Sequence, residues 1–472
     1  MTQPCAQRIL EETDIVMRNP MVDPAADPLC FQDVESLALG YRQGTRSPIE
    51  VAERMLARIE RLNPELCAYY EIARTQVLEL ASVSAARHRA GTALSMLDGV
   101  PVSVKDHIDV SGMASARGYP MGAAATQDSP LVARLREAGA LILGKTTMPE
   151  LSVIPVTHTR AFGLTRNPVD LSRSPGGSSG GAAAATGAGL CTFAIGSDGG
   201  GSIRLPAAFV GLAGHKPTLG RVPYHPGQTD RTVAGPLARS VRDCAHAMNV
   251  IARPDGRDWM ELPADRVDYV AALEGASLAG VRVAYSPDYG YQKVDPQVAA
   301  IVEVAIEAMA RAGAHVRRID RVCEDPFRIY MTQAALRLRS ARRSTEDPSA
   351  ITGVLDFAAA ITPEDIQRMY DERNRLGADL LGVFRQYDVL VSPTSPVPAP
   401  VSADFYPEGD TLGEANRNLI GFTCPVNLVH MPALSVNCGY TREGWPVGLQ
   451  MAGPKASDAG LLAWGHAFEQ IV

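Results

Sequence analysis

Apolar residues recur along the chain in two patterns, one with helical spacing and one in short continuous runs. The segment Ser47-Pro48-Ile49-Glu50 resembles a capping box with proline at the first helical position. Apolar residues then follow at helical spacing, and we expect this helix to end before Pro64. A second amphipathic helix is predicted to open at Asp295-Pro296 and to end at Gly313.

The continuous apolar runs are short and lie between the predicted helices. They are found at residues 100–104, 140–143, 281–285, 315–319 and 389–391. Their length and β-branched content are typical of buried strands. A predicted helix at 130–138 leads into one of them, and the same helix–strand unit recurs later. This alternation predicts an α/β fold: a single large α/β/α layered domain around a central twisted mixed sheet.

The predicted domain occupies most of the chain. Residues 1–32 carry three prolines and little periodicity, so we expect an extended or weakly ordered N-terminal arm. No linker divides residues 33–472, which are interpreted as one domain with a core at about 97–250. An apolar insert is predicted at about 325–363.

Composition fits a large globular protein. The 472 residues are 46% apolar and 21% charged, and a core of this size needs no disulfide or metal for stability. The net charge of −7 argues against a nucleic-acid binder. The apolar runs are too short to span a bilayer, and the first thirty residues lack the apolar core of a signal peptide, so we expect a cytoplasmic protein.

The spacing of the cysteines and histidines indicates neither a disulfide framework nor a metal site. The eight cysteines are far apart and form no C-x-x-C pair, which is typical of reduced thiols. The nine histidines include no H-E-x-x-H motif, and we predict neither a metal nor a cofactor.

Two familiar motifs occur in unsuitable surroundings. Residues 139–146 match the phosphate-loop pattern G-x-x-x-x-G-K-[ST], but four of them form a predicted strand and Pro149 interrupts the helix that should follow. Residues 176–180 match the G-x-S-x-G motif of α/β-hydrolases, but a polar, loop-like segment precedes them instead of a strand. We therefore expect neither nucleotide binding nor a Ser-His-Asp triad at these places.

A glycine-rich block between Gly176 and Ser202 is the strongest candidate for chemistry. It contains ten glycines together with apolar segments that a flexible linker would lack. Ser202 follows three glycines, whose amides could bind a developing oxyanion. A serine nucleophile needs a base, and Lys105, at the end of an apolar strand, is the economical candidate if burial lowers its pKa.

Together these clusters resemble the amidase signature family over most of the chain, from about residue 33 to 465, with the characteristic block at residues 174–218. The resemblance implies a serine hydrolase that cleaves amide C–N bonds through an acyl-enzyme. It implies Ser202 as nucleophile, Ser178 as bridging serine after a cis peptide bond, and Lys105 as base. The separation of 24 positions between Ser178 and Ser202 is the family's spacing.

The resemblance assigns roles to further residues. These are Gly199, Gly200, Gly201 and the Ser202 amide for the oxyanion hole, Ser179 and Asp198 for orienting the loop, and Ser152 for the substrate pocket. The family usually has threonine or a similar side chain at Gly199, so we expect a looser loop and a wider acyl pocket here. Arg204 is interpreted as a structural ion pair in preference to a substrate ligand, and the arginines at 337, 339, 342 and 343 as a solvated helix face.

The substrate is less well defined by the sequence. The insert at 325–363 and the segment 151–162 are nominated as specificity loops, and the insert's apolar content favours aryl or alkyl amides, anilides or carbamates (urethanes). The alternative for the insert is a simple buried helix face, formed by Phe327, Tyr330, Met331, Leu336 and Leu338.

Other functions stay open at this point. They are a ureide or small-amide hydrolase, the glutaminase (A-type) component of a tRNA-dependent amidotransferase, and a non-catalytic scaffold. The segment 215–223 favours a stand-alone amidase over the amidotransferase component, and the intact Lys105, Ser178 and Ser202 argue against the scaffold. A small-molecule substrate is expected, without nucleic acid or membrane, and homodimer formation is left open.

Overall fold

The structure is a computed structural model, and it describes residues 21–120, 122–227, 229–264, 266–338, 349–402 and 418–472, with the side chains of the 349–402 segment described from residue 354. Its centre is an 11-stranded sheet in the order β1-β3-β2-β6-β8-β7-β12-β13-β11-β9-β10, and β4 pairs with β5 separately. The strands are β1 (Tyr69–Ile72), β2 (Pro101–Lys105), β3 (Leu141–Thr146), β4 (His158–Thr159), β5 (Gly163–Leu164), β6 (Phe193–Asp198), β7 (Ala213–Lys216), β8 (Val233–Ala238), β9 (Arg282–Tyr285), β10 (His315–Arg318), β11 (Val389–Pro393), β12 (Ala433–Tyr440) and β13 (Pro446–Ala452).

The helices connect and cover these strands. They are α1 (Val34–Gln43), α2 (Pro48–Leu66), α3 (Arg74–Ala90), α4 (Pro130–Glu137), α5 (Gly180–Gly187), α6 (Arg204–Val210), α7 (Val241–Ile251), α8 (Pro296–Arg311), α9 (Phe327–Leu338), α10 (Ser349–Ala360), α11 (Pro363–Phe384), α12 (Cys424–Leu428) and α13 (Asp458–Glu469). No helix within the described ranges combines the length and the apolar character that crossing a bilayer requires.

The sheet is mixed, as the sequence predicts. Strands β3, β2 and β6 are mutually parallel, and β6 pairs antiparallel with β8. Every residue of β2, β3, β6, β8, β11 and β13 is buried, so these strands are covered on both faces. The single large α/β domain with a central mixed sheet is therefore confirmed.

Strand β3 includes most of the residues that match the phosphate-loop pattern. It runs through residues 141–146, where a phosphate loop would need an open turn. The ammonium group of Lys145 is buried and donates to the Ile108 carbonyl at 2.7 Å. The prediction of a strand at this motif is confirmed.

Two local predictions need correction in α2. Ser47 caps this helix, but its Oγ accepts from the Ile49 amide instead of the Glu50 amide that a capping box uses. The helix also continues through Pro64 to Leu66. A proline in the last turn removes only one main-chain bond, and Asn63 Oδ1 accepts from the amides of Ala68 and Tyr69 to direct the chain into β1.

Residues 21–32, the described part of the predicted arm, are packed on the domain. Cys30 is fully buried and Asp27 is nearly so. The Asp27 carboxylate accepts from Arg54 and lies 3.5 Å from the Arg58 guanidinium. The expectation of weak order is therefore wrong for this stretch, because ion pairing of a buried carboxylate fixes it in place.

Candidate active site

Strand β2 ends at Lys105 and places its side chain in the interior. The Lys105 Nζ atom is fully buried and contacts three serine hydroxyls: Ser178 at 2.7 Å, Ser179 at 2.9 Å and Ser197 at 3.1 Å. Both Ser178 and Ser179 lie just before α5, and Ser197 lies on β6, the neighbour of β2. The sheet order therefore brings the lysine to the serines.

The surroundings of Lys105 favour its neutral form. Burial lowers the pKa of Lys105 to about 7, although the carboxylates of Asp198 and Asp106 oppose that shift. A neutral amine has a lone pair and can accept a proton at a pH where an ordinary lysine cannot. Burial thus gives Lys105 the lowered pKa that a lysine needs in order to act as a base.

Ser178 follows a cis peptide bond, since the Gly177–Ser178 bond is cis. Thr157 holds the turn around it, with its Oγ1 atom donating to the Gly176 carbonyl and accepting from the Gly180 amide. Ser178 and the half-buried Ser202 line the same pocket. Among the hydrogen bonds of the described residues, none joins their two hydroxyls.

The loop between β6 and α6 is anchored by Asp198. Its carboxylate accepts from the amides of Gly201 at 2.7 Å and Ile203 at 3.2 Å. Burial alone would raise the pKa of Asp198, but the charge and hydrogen bonds of Arg204 hold it well below its usual value. The Gly201 amide therefore already donates to Asp198. Of the four amides predicted to bind the oxyanion, those of Gly199, Gly200 and Ser202 remain.

Gly199 lies against side chains from neighbouring segments. A Cβ atom at this position would lie 2.8 Å from Thr232 Oγ1, so Thr232 already occupies the space that a larger residue would fill. Arg231 donates to the Gly199 carbonyl at 3.3 Å, and Thr423 donates to the Gly200 carbonyl at 2.6 Å. These contacts restrain the loop at both glycines, and the expectation of a looser loop and a wider acyl pocket stays a prediction.

Arg204 is a buried structural partner of Asp198. Both side chains are fully buried, and the Arg204 Nε atom lies 2.9 Å from the carboxylate. Its remaining donors reach the Thr423 carbonyl, Gln450 Oε1 and Asn427 Oδ1. The interpretation of Arg204 as an ion pair is confirmed.

Helix α9 supplies one wall of the pocket. Tyr330, Met331, Ala334, Arg337 and Leu338 line it together with Val354 of α10. The expectation of a solvated face is wrong for Arg337, which is partly buried and donates to the Leu151 carbonyl at 2.6 Å. The spacing of Tyr330, Ala334 and Arg337 places them on one helix face and could have signalled this. Arg339, Arg342 and Arg343 lie outside the described residues.

The remaining wall comes from two loops. Ser152 lies in the pocket lining, as predicted, and its Oγ atom is 3.3 Å from His107 Nδ1. Thr229, Arg231 and Thr232, just before β8, also line the pocket. The sequence does not predict that these three residues line the pocket, because a polar loop carries no signal of the site that it faces.

Metal-binding side chains are not gathered at this site. Within the described ranges, no cluster of three or more His, Cys, Asp or Glu side chains is arranged to hold a metal ion. The polar groups around the pocket are hydroxyls, amides, the Lys105 amine and arginines.

Comparison with known proteins agrees with this geometry. A sequence model of the family described as Amidase matches residues 50–462. The chain belongs to the amidase signature family. It is therefore an enzyme that hydrolyses amide C–N bonds.

Individual relatives of this amidase differ in activity. An acylamidase of Rhodococcus erythropolis is 34% identical, with 92% of this chain and 94% of the relative covered. The A-type component of the glutamyl-tRNA(Gln) amidotransferase of Symbiobacterium thermophilum is 35% identical, with 91% and 95% covered. Among solved structures, a bacterial aryl acylamidase of the amidase signature family matches with a TM-score of 0.85 and 29% identity, covering 94% of this chain and 97% of that one.

Proposed function

We propose that this amidase is a stand-alone acylamide hydrolase in which Ser202 is the nucleophile, Ser178 the bridging serine and Lys105 the base. The observation that carries the proposal is the 2.7 Å contact between the buried Lys105 Nζ and Ser178 Oγ, in the pocket that Ser202 also lines. A serine beside a desolvated lysine is an activated nucleophile in acyl transfer.

Lys105 Nζ donates to three hydroxyls, and the loss of one proton would leave it two N–H bonds and a lone pair. Ser179 Oγ donates to the Ser197 carbonyl at 3.1 Å, so towards Lys105 it acts as an acceptor. Ser197 Oγ takes the second N–H of the amine. In the neutral form that we propose, the lone pair of Lys105 replaces its donation to Ser178, and the Ser178 hydroxyl donates to the amine instead.

The reaction runs as a proton relay with balanced steps. Ser202 Oγ attacks the scissile carbonyl while its proton passes to Ser178 and the Ser178 proton passes to Lys105. The amides of Gly199, Gly200 and Ser202 stabilise the oxyanion. The Lys105 ammonium returns a proton through Ser178 to the leaving nitrogen, and water then releases the acyl group from Ser202 by the same relay.

The substrate is an acyl–nitrogen compound with an apolar aryl or alkyl part, such as an anilide or an aryl carbamate. Support comes from the apolar pocket wall of Tyr330, Met331, Leu338 and Val354. The acylamidase and aryl acylamidase among its relatives are consistent with this class.

A substrate panel tests this assignment. We expect kcat/KM for a 4-nitroanilide or an aryl carbamate to exceed that for propionamide by at least about a hundredfold, since each buried methylene contributes about 0.8 kcal/mol. Release of nitroaniline, from the anilide or from an N-(4-nitrophenyl) carbamate, and release of ammonia from propionamide are measured under the same conditions. Equal values of kcat/KM, or a preference for propionamide, would contradict the assignment of an aryl or alkyl substrate and would favour a small-amide hydrolase.

The pH profile tests the base. We expect kcat/KM to rise about tenfold per pH unit on the acidic side and to level off above the pKa of Lys105, which is about 7. The sign follows from the chemistry: acid protonates the amine and removes its lone pair. Lys216 is the control, because burial also lowers its pKa to about 7 while its Nζ donates to the Pro217 carbonyl. The acidic limb should persist in Lys216→Met, and activity that declines from pH 6 to 9 would contradict the role of Lys105.

The second candidate is the glutaminase component of a tRNA-dependent amidotransferase. It is favoured by the 35% identity to the A-type component of such an enzyme over nearly the whole chain. This function requires a partner and glutamine as the preferred substrate. A stoichiometric second protein in a pull-down of the tagged chain, together with glutamine hydrolysis that depends on it, would replace our first assignment.

A further inference from the structure

The pocket that holds Ser178 and Ser202 contains two arginines and, among the described lining residues, no carboxylate. Arg231 enters from the turn before β8, and Arg337 enters from the last turn of α9. The rest of the described lining is apolar or carries hydroxyl groups. Arg231 and Arg337 donate to the Gly199 and Leu151 carbonyls, and their charges also give the pocket a positive potential, which a neutral aryl amide would not use.

Arg231 is the better defined of the two cations. Its side chain is 5% exposed. Its Nη1 atom donates to the Gly199 carbonyl, and its guanidinium lies 4.4 Å from the centre of the Tyr330 ring. Its Nε atom is buried and has no hydrogen-bond partner among the described residues.

Arg231 also has no ionic partner among the residues that the structure describes. No Asp or Glu oxygen in the described ranges lies within ion-pair distance of it, and the adjacent Asp230 pairs instead with Arg373 at 2.7 Å. A guanidinium stays charged in proteins, and burying it without a counter-ion is costly. An incoming anion would offset that cost.

Arg337 adds charge of the same sign nearby. Burial and the charge of Arg231 lower the pKa of Arg337 to about 10, so it remains protonated at neutral pH. Two like charges that repel each other across a pocket are both stabilised by an anion bound between them. Guanidinium groups match the planar, two-oxygen geometry of a carboxylate.

An apolar surface connects the arginines to the reacting centre. Tyr330 stacks on Arg231 and also packs so closely on Gly200 that a Cβ atom there would lie 2.4 Å from its ring. Met331 and Leu338 continue this wall. A ligand in contact with all of them would have an apolar part as well as its amide and its charged end.

We infer that the preferred substrate is an amide that also carries a carboxylate, bound by Arg231 and Arg337 in the pocket that Ser178 and Ser202 line. This inference rests on the proposed function and narrows its substrate class from aryl or alkyl amides in general to anionic ones.

Matched substrates test it on the wild-type enzyme. The neutral compound is pentanoyl-4-nitroanilide, and two anionic analogues carry the carboxylate at the acyl end (the glutaric acid mono-4-nitroanilide) or on the arylamine (4-pentanoylaminobenzoate). We expect kcat/KM for at least one anionic compound to exceed that of its neutral counterpart, pentanoyl-4-nitroanilide or pentanoylanilide, by about tenfold to a hundredfold, the value of one charge-assisted hydrogen bond.

Substitutions then assign the preference to the arginines. In Arg231→Met and in Arg337→Met, the ratio of anionic to neutral kcat/KM should fall by about tenfold or more, whereas Arg231→Lys should retain part of it. The ratio is the readout because a general disturbance of the Gly199 loop lowers both rates together. Arg328→Met is the matched control, since Arg328 lies on the same helix but is exposed and pairs with Asp365. Its ratio should equal that of the wild type.

The possible results separate this inference from the proposed function. Equal turnover of the neutral and anionic compounds, or a ratio unchanged in both methionine variants, overturns the inference and leaves the amidase mechanism intact. If neither compound is hydrolysed, the proposed substrate class fails, and calorimetry decides the inference alone: the glutaric mono-anilide should bind at least about tenfold more tightly than pentanoylanilide, and equal affinities would overturn it.

Discussion

Ser202→Ala is expected to lower kcat by at least about a thousandfold while leaving the fold intact. Ser202 faces the pocket beside Ser178, at the end of a loop whose position is fixed by Asp198 and not by the Ser202 hydroxyl. Removing Oγ therefore deletes the nucleophile without disturbing the loop that presents it. Nitroaniline release measures the loss, and an unchanged urea-unfolding midpoint shows that the fold is retained.

Ser179→Ala is the matched comparison for this variant. Ser179 contacts Lys105 at 2.9 Å and donates to the Ser197 carbonyl, so it orients the base without receiving the acyl group. Its loss should be smaller than that of Ser202→Ala. Mass spectrometry of the enzyme quenched with an aryl carbamate should find the added mass on the peptide that contains Ser202. A residual rate above about a thousandth, or an adduct on another residue, would show that Ser202 is not the nucleophile.

Arg204→Met is expected to reduce the free energy of unfolding by about 3–5 kcal/mol. The substitution leaves the Asp198 carboxylate fully buried and without its guanidinium partner, and an uncompensated buried charge is costly. Urea unfolding followed by linear extrapolation measures the change. The double variant Asp198→Asn/Arg204→Met should recover part of the loss, because it removes the orphaned charge together with its partner.

An exposed ion pair provides the control for this prediction. Arg311 and Glu307 lie 3.7 Å apart on α8, and both side chains are more than half exposed. Arg311→Met should therefore change the free energy of unfolding by less than about 1 kcal/mol. A change of that small size in Arg204→Met as well would contradict the view that the Asp198–Arg204 pair anchors the active-site loop.

The sequence was most informative where a short segment carries its own structural signal. The apolar run before Lys105 predicts a buried strand that ends in a lysine, and β2 is that strand. The glycine-rich block similarly predicts a backbone-lined site. The sequence was least informative where the neighbour comes from a distant segment. Thr232 fills the space beside Gly199, and Arg337 turns into the pocket instead of solvent. A polar helix face has the same sequence pattern whether it faces solvent or a polar pocket. Tertiary packing decides which of the two it faces.

The pocket is assembled from chain segments that lie far apart, and this affects how the enzyme can change. The proposed proton relay belongs to residues 105–202, whereas much of the pocket wall belongs to α9, more than a hundred positions later. Mutations in α9 can thus alter substrate choice without touching the groups that move protons. Tyr330 is the exception, because its ring packs directly on Gly200. A directed-evolution library that varies Met331, Ala334, Arg337 and Leu338 but keeps Tyr330 should yield altered selectivity at little cost in turnover, and natural divergence among such enzymes can follow the same route.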